Sequence, residues 1–314
     1  MIGTDITKAS TLLNSGQLVA IPTETVYGLA GNALDPEAIS NIYKVKNRPH
    51  FNPLILHLPN IESARKYVLQ FPKEAEKLAK SFWPGPLSIL LPKSKLVPDL
   101  ITAGSTHVVL RVPNHTLTLD LLNTLDFPLA APSANISNTV SPTTAEHVEQ
   151  GLGSEIPYIL DGGTCQIGLE STIVAIENGL VVILREGGIS QEQITKETDL
   201  SVQLASSNEL QSPGQLSKHY STTKPLHLVS SIKTFLEKYP HKKCCALLFE
   251  NKRVNCKSYL LSNEYNLSEI ANNLFSLMRI ADQDDSDCII VEHIKQEGIG
   301  RAIADRLNRS ASTF

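Results

Sequence analysis

Over its first 200 residues this chain alternates short apolar runs with helical spacings, and that rhythm limits the folds open to it. Apolar runs bounded by turn residues suit buried strands. Helical repeats between them suit connections that cover a sheet. Residues 18–21, 54–58, 88–91, 108–112 and 128–131 read as strands. Residues 171–176 and 180–184 flank Glu177-Asn178-Gly179, a hairpin signal. Asp35-Pro36-Glu37 opens a helix, with Asp35 as cap, Pro36 at the first turn and Glu37 at the positive end of the dipole. Residues 61–82 read as two helices broken at Pro72.

A stretch rich in Ser and Gln then interrupts the pattern, which restarts with strand 226–229, helix 231–239, strands 245–249 and 257–261, helix 267–281, strand 287–291 and helix 299–309. The sequence therefore predicts an α/β protein with a domain at 1–200, a linker at 201–225 and a smaller α/β domain at 226–314.

Composition narrows the function classes. With 41% apolar and 19% charged residues in 314, the chain is an ordinary globular one. No apolar run reaches the ~20 residues of a membrane helix. Met1 to Thr11 lacks a basic-then-apolar leader, so a cytoplasmic protein is expected. The five cysteines form no CxxC pair, which argues against structural zinc and for idle buried thiols. Residues 1–200 carry 14 Lys+Arg against 20 Asp+Glu, a net of −6, whereas residues 201–314 carry 14 against 12, a net of +2. An acidic first domain is a poor nonspecific nucleic-acid binder. Any anion it takes must be met by locally placed cations.

The common nucleotide and hydrolase signatures are missing: no phosphate loop, no GxGxxG between strand and helix, no HExxH and no GxSxG elbow. Four loop clusters remain. Lys44-Val45-Lys46-Asn47-Arg48-Pro49 ends a helix just before a strand. Its cations either complement the helix dipole or aim Lys46 and Arg48 at a polyphosphate. Pro22-Thr23-Glu24-Thr25-Val26-Tyr27-Gly28 and Ala131-Pro132-Ser133-Ala134-Asn135 both follow strands. They are hydroxyl-capped turns or ligand loops, and Ser141 beyond them opens a helix cap. His57, Arg111, Ser171 and Arg185 sit in or beside apolar strands. An arginine there needs an anion, either Glu170 or Glu186 within the fold or a bound ligand.

In order along the chain, PTETVYGL, KVKNRPHFNPLILHL, WPGPLSILL, APSANIS, LDGG, ESTIV and LREGGIS resemble the YrdC-like domain of the threonylcarbamoyl-AMP synthase family. Ser212-Pro213-Gly214-Gln215-Leu216-Ser217-Lys218-His219-Tyr220 is similar to the linker of that family's two-domain form, and Gly300-Arg301-Ala302-Ile303-Ala304-Asp305-Arg306-Leu307 to the end of its second domain. Asn47 departs from a frequent family glycine, and the residues around the His-Tyr pair differ as well.

The resemblance implies a curved, mixed-sheet YrdC-like domain followed by a smaller Rossmann-like α/β domain. It implies a nucleotidyltransferase that joins L-threonine, bicarbonate (or CO2) and ATP to give L-threonylcarbamoyladenylate and pyrophosphate. The product would pass to a complex that modifies tRNA adenosine next to the anticodon. It implies a threonine site of Thr25, His57, Arg111, Ala131 and Ser171. It implies an ATP site of Arg48, Asn52, His107 (or Thr106), Ser133, Asn135, Ser141 and Arg185, with Tyr220 closing over the nucleotide. Lys46 and Arg48 would stabilise charge at the reacting phosphate, with Mg2+ on the triphosphate and no protein metal ligands. Two rivals stand beside this: a carbamoyl-adenylate-forming relative, and a noncatalytic RNA-binding module, which the acidic first domain disfavours.

Overall fold

The computed structural model describes residues 1–205 and 219–312. The chain divides into two compact units. The first is built on a sheet of eleven strands: β1 (Ile2–Gly3), β2 (Val19–Ile21), β3 (Gly28–Asn32), β4 (Ile55–His57), β5 (Leu87–Pro92), β6 (His107–Arg111), β7 (Leu129–Ala130), β8 (Tyr158–Leu160), β9 (Thr172–Glu177), β10 (Leu180–Arg185) and β11 (Val202–Leu204). Their order is β1-β8-β2-β3-β7-β4-β6-β5-β9-β10-β11, with parallel and antiparallel pairs mixed. Eight helices connect them: α1 (Ile6–Asn14), α2 (Pro36–Val45), α3 (Ile61–Arg65), α4 (Lys73–Phe82), α5 (Asp99–Thr102), α6 (Thr116–Asn123), α7 (Ala145–Leu152) and α8 (Gln191–Thr198).

The two-residue pleat sorts the side chains. Leu56, Val108, Leu110 and Ile89 join the main core with Ile39 and Ile42 of α2, Leu78 of α4 and Ile194 of α8. Ile55, Val109, Leu90, Ile173, Ala175 and Leu184 point the other way and form a smaller apolar cluster. By the same alternation His57 and Arg111 lie on that second face. The helices start where the chain supplies caps: the Asp35 side chain accepts from the Glu37 N–H, and Ser190 with Gln193 forms a capping box on α8.

The second unit contains β12 (Leu226–Val229), α9 (Ile232–Lys238), β13 (Cys244–Leu248), β14 (Lys257–Leu260), α10 (Leu267–Gln283), β15 (Cys288–Glu292) and α11 (Gly300–Ser310). Its four strands are all parallel, in the order β12-β15-β13-β14. Segments Asn138–Ser141 and Ile167–Leu169 cluster with it.

The mixed α/β class and the second parallel sheet agree with the sequence reading. The differences have local causes. The Thr-Glu-Thr-Val-Tyr loop runs into β3, whose Gly-Leu-Ala-Gly-Asn lacks a strand signature, yet Gly31 sits where a Cβ would meet Leu18 Cδ2 at 2.8 Å. The span read as linker begins with β11, which pairs in parallel with β10. Residues 206–218 of that span, including Ser212–Lys218 of the family-like linker motif, lie outside the described residues.

Candidate active site

The site is assembled from loops that follow strands, beginning with Arg111. This residue ends β6, is 4% exposed, and sits in register with His57 on the neighbouring parallel strand β4. Its Nη2 donates to Thr25 Oγ1 at 2.9 Å, and its Nε donates to Gly85 O at 3.3 Å. The same Nη2 lies 2.8 Å from Glu24 Oε1, an ion pair buried on both sides. Glu24 Oε2 accepts from the Asn114 N–H. The anion that Arg111 needed inside the fold is therefore Glu24, not Glu170 or Glu186. Sequence order hid this pair, because 87 positions separate the partners and only the β2–β3 connection brings them together.

Thr23 performs the turn-capping role: its hydroxyl accepts from the Thr25 and Val26 N–H groups and donates to Val26 O. That turn leaves the Thr25 hydroxyl directed at Arg111. Tyr27, fully buried, donates to Gly163 O at 2.8 Å and accepts from the Gly162 N–H at 3.1 Å, tying this loop to Asp161-Gly162-Gly163. Burial pushes its phenol well above the ordinary tyrosine range.

His57 is buried and its Nδ1 lies 3.2 Å from Ile55 O. Burial, with Arg111 adding repulsion, lowers it from 6.5 to about 3. The folded state thus holds a neutral imidazole, whereas the unfolded chain binds a proton below about pH 6.5. The resulting stability is present above about pH 6.5 and is lost at about 1.4 kcal/mol per unit as pH falls toward 3. Denaturant unfolding at about pH 6.5 and about pH 5 should differ by roughly 2 kcal/mol more in the wild type than in His57→Asn. Equal pH dependence in the two would refute the assignment.

The second cluster joins two loops. Lys46, at the C-cap of α2, is 1% exposed and turned inward. Its Nζ donates to Ser133 O and Asn135 O, each at 2.6 Å, and lies 3.5 Å from Asn135 Oδ1. Burial, and then Arg48, lower its pKa well below the ordinary value. The two Nζ bonds fix the Ser-x-Asn loop to the basic loop. Lys46→Met would strand two carbonyls at a cost of about 1–3 kcal/mol each. Its melting temperature should fall even in the absence of any ligand; an unchanged value would contradict the strut.

Arg48 is partly exposed. Its Nε donates to Asn52 O at 3.1 Å and its Nη2 to Pro53 O at 2.8 Å, while the Tyr43 hydroxyl also donates to Asn52 O. Burial and the Arg185 charge lower its pKa to about 10, with Tyr43 opposing. Arg185, past a bulge at the end of β10, donates to Ser171 O from Nε and Nη2 and to Ser171 Oγ at 3.1 Å. Ser171 Oγ also pairs with Ser88 Oγ at 2.8 Å, a partner the sequence did not suggest. Ala131 lies against Gly28, where a Cβ would come within 3.1 Å of the Ala131 Cβ.

Thr25, His57, Arg111, Ala131, Lys46, Arg48, Asn52, Ser133, Asn135, Ser171 and Arg185 all belong to the first unit and to this linked set of loops. His107 stands apart at the start of β6, opposite Pro92, and lines a cavity of about 350 Å3 with Leu90, Ala175 and Glu177. Ser141 and Tyr220 belong to the second unit. Tyr220 is buried there, its ring 5.4 Å from Phe275 in a stacked arrangement and under the Arg306 guanidinium. Among the described residues no three His, Cys, Asp or Glu side chains converge to hold a metal ion.

Cations beside hydroxyls, on loops fixed by backbone carbonyls, suit an enzyme that aligns anionic reactants. Comparisons with known proteins agree. Residues 11–187 match the Sua5/YciO/YrdC family model, described as "Telomere recombination", and residues 189–312 match "Threonylcarbamoyl-AMP synthase, C-terminal domain". Threonylcarbamoyl-AMP synthase of Pyrococcus abyssi is 38% identical, over 96% of this chain and 93% of that protein. The Bacillus subtilis enzyme of the same name is also 38% identical, over 98% and 92%. The crystal structure of P. abyssi Sua5 complexed with L-threonine superposes with a TM-score of 0.90 at 36% identity, covering 98% of this chain and 96% of that one. The chain belongs to the Sua5/YciO/YrdC family, among the two-domain threonylcarbamoyl-AMP synthases.

Proposed function

We propose that this enzyme condenses L-threonine, bicarbonate or CO2, and ATP into L-threonylcarbamoyladenylate and pyrophosphate, in the cytoplasm, for modification of tRNA adenosine beside the anticodon. The observation that carries the reading is the buried Arg111 beside the Thr25 hydroxyl, a cationic corner for a carboxylate, with Arg48 and Arg185 as the cations available to a triphosphate. Arg111, with Thr25 and His57 beside it, suits the threonine carboxylate. The P. abyssi relative was crystallised with L-threonine, which supports threonine as the amino-acid substrate.

The chemistry needs no covalent enzyme intermediate. The neutral amine of threonine adds to CO2 and loses a proton, giving a carbamate. A carbamate oxygen then attacks the α-phosphorus, the bond to the β-phosphate oxygen breaks, and pyrophosphate leaves. Arg48 and Arg185 stabilise the charge that gathers on the phosphates. A magnesium ion on the triphosphate would add to that charge stabilisation. The domain division at residues 1–200, 201–225 and 226–314, the nucleotide contacts of Asn52, Ser133, Asn135, Ser141 and His107, and closure by Tyr220 belong to the same proposal.

The test is pyrophosphate release from ATP with and without L-threonine and bicarbonate. Release that requires both supports the reading. Release with carbamoyl phosphate in place of threonine would point to the carbamoyl-adenylate-forming relative. Arg48→Ala should weaken ATP binding by about 1.5–3 kcal/mol, the usual range for hydrogen bonds to charged groups. Unchanged nucleotide affinity in that variant would remove Arg48 from the phosphate site.

A further inference from the structure

The second unit holds four of the five cysteines, and three of them gather on one side of its sheet. Cys244 opens β13 and Cys288 opens β15; they are register partners on adjacent parallel strands, with Sγ atoms 3.3 Å apart. Neighbouring strands lie about 4.8 Å apart. That falls within the ~4.4–6.8 Å Cα separation a disulfide accepts. Both residues are buried, at 5% and 2% exposure, in a cluster that Cys256 packs against.

Cys244 and Cys256 also line a cavity of about 570 Å3 between α9, the start of β14 and the turn before β15. The cavity wall carries five cations, Lys233, Lys242, Lys243, Arg253 and Lys257, against the carboxylates of Glu237, Asp284 and Asp285. Its size is that of a small-molecule site, and its charge favours an anionic visitor.

We propose that this cavity admits an anionic low-molecular-weight disulfide of the glutathione type, which converts Cys244 and Cys288 into an intradomain disulfide. The Cys244 thiolate attacks one sulfur of the visitor, forming a mixed disulfide and releasing one thiol. The Cys288 sulfur, giving up its proton, then attacks Cys244 Sγ and releases the second thiol. Two protein thiols are oxidised and one small disulfide is reduced to two thiols. Burial pushes the Cys288 thiol up to about 12 and the Cys244 thiol upward as well, so the exchange is slow at neutrality and is best followed in mildly alkaline buffer.

The experiment incubates the full-length protein with oxidised glutathione, alkylates free thiols and maps peptides without reduction. The expected product is a cross-link carrying Cys244 and Cys288, retained in Cys245→Ser and lost in Cys244→Ser. Cys288→Ser should instead accumulate glutathione on Cys244. A folded wild type that shows adducts only on Cys256, or a cross-link that survives Cys288→Ser, would overturn the proposal.

Discussion

Arg111→Ala is expected to destabilise the first unit by about 3–5 kcal/mol, because it leaves the Glu24 carboxylate buried without its cation. That loss exceeds what a single ligand contact accounts for, and it would appear in urea unfolding of the ligand-free protein. The decisive comparison is the double variant Arg111→Met with Glu24→Gln, which removes both charges and keeps most of the volume. Its stability should return to within about 1–2 kcal/mol of wild type, since a buried ion pair is often replaceable by neutral groups. Threonine binding should stay lost. If the double variant bound threonine as wild type does, Arg111 would be a fold element only. If it stayed as unstable as Arg111→Ala, the cost would lie in packing and not in the orphaned carboxylate.

Gly187→Ala should be comparably severe. A Cβ at this position would meet Glu170 O at 2.3 Å, Ser171 C at 2.4 Å and Thr172 N at 2.5 Å. These are backbone atoms, so no side chain can rotate away. Overpacking commonly costs about 1–3 kcal/mol, and three backbone clashes place this substitution at the upper end. The strain falls on the segment that supplies Ser171 to Arg185, and the Gly188 N–H to Glu170 O bond crosses the same gap. We expect ATP-dependent pyrophosphate release to fall more steeply than thermal stability does. Gly151→Ala makes a useful control, because its Cβ would meet nothing within 4 Å and its φ lies outside the left-handed region. Equal losses in the two variants would show that the 170–172 contact is not the cause.

Much of the architecture was legible from periodicity. Strands β4, β5, β6, β9 and β10 and all seven elements of the second unit fall where apolar runs and caps placed them. The misses share a cause. β3 is glycine-rich and β1 and β8 are only two or three residues long, so pairing with neighbours, and not local propensity, makes them strands. Within the site, the motif residues could be found by their spacing, but their partners could not. Glu24 looks like any loop carboxylate until β6 brings Arg111 beside it. Ser88 looks like a strand serine until it meets Ser171. The cysteines were read as idle from their spacing; register, invisible in the sequence, puts Cys244 beside Cys288.

The inward-turned Lys46 has a consequence for how tightly the site can hold its reactants. Its amino group satisfies two carbonyls of the Ser133–Asn135 loop. The conformational entropy of that loop is therefore lost during folding and not during binding. Under the proposed function a nucleotide reaching that loop would meet a rigid frame, and its affinity would be spared the ordering cost that a loose loop would impose. The same frame would bind an unproductive polyanion nearly as well, which leaves discrimination to the neutral hydroxyls and the Arg111 corner.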